Sequence, residues 1–78
     1  MPHYHFHVSD SHGELPDAEG RELLDLAAAR RAALEGARSL ICEDVGQGRL
    51  NLNGILEVTD ATGEPLFELS FREAVGAN

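Results

Sequence analysis

The sequence predicts an α+β fold: a two-layer sandwich in which an antiparallel three- to four-stranded sheet, in the order β-(β)-α-β-β, carries one amphipathic helix on one face. Three stretches predict it. HYHFHVS, residues 3–9, alternates strictly between apolar and polar side chains. LAAARRAALEGARSLICEDVGQG, from Leu26, is an alanine- and leucine-rich helix former. ILEVTDATGEPLFELSF, from Ile55, holds two alternating runs on either side of a polar turn. With 78 residues the chain makes a single domain over 1–78. Its core is thin, because a chain of this size buries only about 60% of its unfolded surface.

In the first stretch Tyr4, Phe6 and Val8 point one way and His3, His5 and His7 the other, the period of a half-buried strand. Asp10-Ser11-His12-Gly13 follows as a turn. Residues 14–25 are punctuated by Pro16-Asp17 and Gly20, and Gly20 to Leu23 read either as a short second strand or as an extended lead into the helix. Asp25 is placed to cap that helix, since its carboxylate can accept from free first-turn amides. Leu26, Ala29, Ala33, Ala37, Leu40 and Ile41 fall near one stripe, and their small members let the helix lie close on a sheet. Gly36 weakens the helix, and Gly46 and Gly48 end it. In the last stretch Leu56 and Val58, then Phe67, Leu69 and Phe71, face the core across a turn in which Gly63 supplies a left-handed residue. Pro65 sits where the final strand begins, away from a central ladder position. The tail, residues 72–78, is expected to fray.

Charge narrows the function. Fourteen carboxylates against six arginines and no lysine give a formal net charge of −8. Such a surface repels phosphate backbones and anionic lipid, so neither nucleic acid nor membrane is an expected partner. Cys42 is the single cysteine, which excludes an intramolecular disulfide. The first residues lack an apolar signal-peptide core, and no apolar run reaches the roughly 20 residues needed to cross a bilayer. The expectation is a cytoplasmic protein.

A pattern spread over nearly the whole chain resembles a known family. Its matching positions are Tyr4, Phe6, His7, Val8 and Asp10; then Asp17, Glu19, Gly20, Glu22, Leu23, Asp25, Leu26, Ala29 and Arg30; then Glu57, Val58, Asp60, Gly63, Leu66, Phe67, Leu69 and Phe71. The pattern resembles that of short bacterial proteins, common in alphaproteobacteria, grouped as domain of unknown function 6894. The resemblance implies no activity, cofactor or catalytic residue. His3 and His5 lie outside the pattern, which weighs against a metal site that requires them.

The histidines are the first candidate site. Residues i and i+2 on a strand stand about 6.6–6.8 Å apart on one face, and two imidazoles so placed can converge on one zinc. His5 and His7 are the candidate ligands for zinc or nickel, with His3 less well placed. The simpler reading, a solvated strand face, is favoured. So is an unreactive Cys42, since Glu43 and Asp44 disfavour a thiolate. The carboxylate pairs Asp17 with Glu19, Glu43 with Asp44 and Asp60 with Glu64 sit in turns or at a helix end, where solvation is expected. No phosphate-binding glycine loop, GxSxG, CxxC or HExxH motif is present. The remaining surface is the sheet face away from the helix, with His3, His5, His7, Ile55, Glu57, Thr59, Leu66, Glu68 and Ser70, suited to dimerisation or docking of a protein partner. The leading expectation is a non-enzymatic protein-interaction or regulatory module that forms a homodimer and carries no cofactor; the alternative is a metal-binding module using His5 and His7.

Overall fold

The structure, a computed structural model, describes residues 2–10, 13–50 and 52–76. The elements run β1 (His3–Asp10), β2 (Gly13–Leu15), β3 (Arg21–Glu22), α1 (Leu26–Gly46), β4 (Ile55–Asp60), β5 (Pro65–Ser70) and α2 (Phe71–Gly76). All strand pairs are antiparallel, in the order β2-β1-β4-β5. β3 also pairs with β1, at its opposite end from β2: His3 and Tyr4 face Glu22 and Arg21, whereas Val8 to Asp10 face Leu15 to Gly13. The α+β fold is as expected, with five strands rather than three to four. The ambiguous segment 14–25 supplies the end of one short strand and the whole of another. Asp10 and Gly13 pair directly; Ser11 and His12, the middle of the expected turn, lie outside the described residues.

α1 begins where Asp25 Oδ1 accepts the Ala28 amide at 2.8 Å. It ends at Gln47, whose N–H donates to the Asp44 carbonyl, followed by Gly48 at φ +82°. Ala29, Ala33, Ala37 and Ile41, each four apart, are its buried residues, so the helix lies on the sheet along a ridge of methyl groups. Leu40 is half-buried, and Leu26 is exposed at the first turn. Across the interface Tyr4, Leu56, Val58 and Phe71 are buried, with Phe6, Val8, Phe67 and Leu69 packed against them.

Part of the tail that the sequence leaves irregular is helical. Residues Phe71–Gly76 form α2, and Phe71 heads that helix instead of ending a strand. Ser70 Oγ accepts the Glu73 amide at 3.1 Å and its hydroxyl donates to the Glu73 carboxylate at 3.1 Å, a side-chain cap on the first turn. Ala74 is fully buried, and Arg38 Nε on α1 donates to its carbonyl at 2.9 Å. Ala77 and Asn78, the rest of the expected frayed tail, lie outside the described residues.

The β4–β5 turn is built by Asp60, whose Oδ1 accepts from the amides of Thr62 and Glu64 at 2.9 and 3.0 Å, with Gly63 at φ +88°. Pro65 pairs with Thr59 just past a register shift between Val58 and Thr59. A proline and a bulge at the start of β5 interrupt its outer edge.

Candidate functional site at the first strand

β1 presents its histidines on the sheet face opposite α1, and the pleat sets their spacing. The rings of His3 and His5 are 5.1 Å apart and those of His5 and His7 are 6.0 Å apart, the latter pair nearly parallel. They are not simply wet. Residues 16–20 run along the outer edge of β1, filling the gap between its pairings with β2 and β3, and the imidazoles bond to that segment's backbone. His3 Nε2 donates to the Glu19 carbonyl at 2.7 Å, and His5 Nδ1 donates to the Asp17 carbonyl at 2.8 Å. His7 works the other way: its Nδ1 accepts the Asp17 amide at 3.0 Å. Nδ1 therefore carries no proton, and the tautomer its partners assign places the proton on Nε2, which donates to Thr59 Oγ1 at 3.1 Å.

Asp17 is the residue that joins these contacts. Its Oδ2 accepts the Phe6 amide and its Oδ1 the Gly20 amide, each at 3.0 Å. It thus takes an outward-facing amide of β1 where a neighbouring strand's carbonyl would otherwise do so. Burial disfavours its charge, but the amide bonds from Phe6 and Gly20, together with the field of His5 and the Glu19 amide, outweigh that and hold its carboxyl below the usual carboxylate range. The sequence placed Asp17 among solvated turn carboxylates. The signal for its role was the Asp-x-x-Gly spacing, but the partner amide of Phe6 comes from another element and leaves no local mark.

Among the described residues, no group of three or more His, Cys, Asp or Glu is arranged to hold a metal ion. A zinc on His5 and His7 would first have to take a nitrogen of His7 from Asp17 or Thr59. Thr59 is itself buried by this arrangement, and no buried side-chain polar atom among the described residues lacks a partner. Asp60 behaves as a turn residue, its carboxyl held low by the Thr62 hydroxyl and by the amides around it.

Beyond the histidines the same face carries Glu57, which pairs in register with both His7 and Glu68. Two carboxylates directly opposite one another repel. Ile55 and Leu66 on this side are a little over one-third exposed. Cys42 is exposed on α1, beside a shallow groove of about 420 Å³ lined by Arg38, Ile41, Val45 and Val75 between the two helices. No helix among the described residues is long and apolar enough to cross a membrane.

Fold and site together define a small α+β domain whose helices cover one sheet face and whose first strand is bordered by a histidine-fastened segment. The chain belongs to the family described as Domain of unknown function (DUF6894), which matches residues 3–72. No curated protein and no solved structure matches it.

Proposed function

We propose that this protein is a non-enzymatic interaction module that self-associates, and that the groove between α1 and α2 is the contact surface. The observation that carries this reading is the concentration of exposed apolar side chains there. Val45 and Val75 are 54% and 53% exposed, beside Ile41 and the exposed Cys42. The sheet face expected to serve this purpose is less suitable, because Glu57 and Glu68 already oppose each other on it and a second copy would add two more like charges.

A second copy of the chain suits the groove electrostatically. On α1, Arg38 lies on the N-terminal side of Cys42, while Glu43, Asp44 and the helix's own carbonyl end lie on the other. Two copies packed antiparallel about Cys42 set each Arg38 against the C-terminal turn of its partner, where a cation is favourable. Closed two-fold pairing also enlarges the core of a domain too small to build a thick one.

Light scattering over a concentration series tests this. The expected mass is twice that of the chain. Val45→Glu returns the mass to that of a monomer, and Ile55→Glu on the sheet face leaves the dimer intact. A wild-type chain that stays monomeric at the highest concentration overturns the reading.

A further inference from the structure

Residues 16–20 are held by polar contacts. Pro16, Ala18 and Glu19 are exposed, Asp17 and Gly20 are half-buried, and none of the five belongs to the hydrophobic core. Asp17 alone contributes its amide, its carbonyl and one carboxylate oxygen to the attachment, and its other carboxylate oxygen accepts the Gly20 amide within the segment. We infer that residues 16–20 form a strap that opens as a unit, below the free energy of global unfolding, and so gates access to the outer edge of β1 at Phe6 and to the imidazoles of His5 and His7.

The physical ground is twofold. A segment with little buried apolar surface opens locally at a lower cost than the core it rests on. Because three bonds to β1 run through one residue, displacing Asp17 releases His5, His7 and Phe6 together and leaves the His3 bond to the Glu19 carbonyl to hold the strap, which favours opening as one unit. Gly20 is what allows closure. Its φ is +67°, and a Cβ there would stand 2.6 Å from the Tyr4 carbonyl oxygen and 2.7 Å from His3 Nε2. The Tyr4 oxygen is backbone in the ladder and cannot yield, so any other residue at position 20 holds the strap off β1.

Closed, the strap keeps the Phe6 amide paired and His7 Nδ1 bonded, while His7 Nε2 stays on Thr59. Open, it uncovers a short stretch of strand edge between β2 and β3 and frees Nδ1 of His5 and of His7 for solvent, a reagent or a metal ion. The strap does not touch the α1–α2 groove, so this inference stands apart from self-association.

Native-state hydrogen exchange in a low-urea series, on the full chain, tests it. The amides of Phe6 and Asp17, which bond across the seam between strap and β1, are expected to share one protection level, at least tenfold below that of the β4 ladder, and nearly independent of urea. Ethoxyformylation of His7 is expected to proceed at a rate set by the same opening. Gly20→Ala should speed exchange at Phe6 and modification of His7 at least tenfold while leaving β4 protected. Exchange of Phe6 and Asp17 only together with β4, with the same urea dependence, overturns the strap; so does a folded Gly20→Ala variant with unchanged Phe6 exchange. If Gly20→Ala does not fold, the wild-type urea series decides alone.

Discussion

At the scale of single residues, Asp17 does the work that a sequence reading assigns to strands. It pairs a β1 amide, fixes the backbone that His5 and His7 bond to, and holds Gly20 against Tyr4. A hydrogen bond to a charged group contributes about 1.5–3 kcal/mol, so Asp17→Asn, which removes the charge and turns one of the two accepting oxygens into a donor, should cost about 1–2 kcal/mol in urea denaturation at pH 7. The pH dependence follows from the direction of its shift. The folded carboxyl titrates below its ordinary value near 3.8. Its contribution is therefore fully present above the unfolded value and is lost as pH falls through the folded one. The wild type and Asp17→Asn should differ most above about pH 5 and converge toward pH 2. A difference that stays constant from pH 7 to pH 2 would show that the charge of Asp17 contributes nothing.

At the scale of elements, regular periodicity was legible and irregular partnership was not. β1, β4 and β5 announce themselves by alternation. α1 does so by Ala29, Ala33, Ala37 and Ile41, and its cap at Asp25 falls where the sequence put it. α2 was missed because Arg72 to Gly76 is too short to show a period, although Ser70 and Glu73 already had the spacing of a capping box. The strap was illegible for a different reason: its contacts join residues ten or more apart through backbone atoms, and side-chain chemistry does not encode backbone partners. The alternation of the histidines suits a wet face or a metal pair, and equally a third arrangement, a row of fasteners. One element carries a defect open to repair. Gly36 lies in the middle of α1, and a Cβ there would meet Leu56 Cδ1 at 3.9 Å, an ordinary contact. Gly36→Ala should therefore stabilise the fold by about 0.5–1 kcal/mol, measured as a rise in the urea midpoint. A fall in the midpoint would mean that α1 packs more tightly on β4 than this contact distance allows.

At the scale of the whole molecule, the excess of carboxylates sets the response to salt. Fourteen acidic groups face six arginines, and several arginines serve packing as much as charge. Arg30 stacks on Phe67 with its guanidinium carbon 4.6 Å from the ring centre, and Arg21 lies 5.9 Å from that of Phe6. The pairing of Arg49 with Asp44 is long, at 4.0 Å, and exposed on the arginine side, so it contributes little. Repulsion among carboxylates should then outweigh attraction at neutral pH, and screening should stabilise the fold, because the Debye length falls from about 30 Å at 0.01 M to about 10 Å at 0.1 M. For a domain of this size 1 kcal/mol corresponds to roughly 4–8 °C in Tm, so raising sodium chloride from about 0.01 to 0.5 M at pH 7 should lift Tm by about 3–8 °C. The same addition near the isoelectric point, about 4.7, should do much less, because net repulsion has vanished there. Two copies joined through the helical groove would double the charge in one particle and steepen the effect at pH 7. Val45→Glu, as a monomer, should therefore show a smaller salt response than the wild type, despite carrying one more carboxylate. A larger response in the variant would mean that the repulsion is local to each chain and that pairing through the groove does not bring the two charge clouds together.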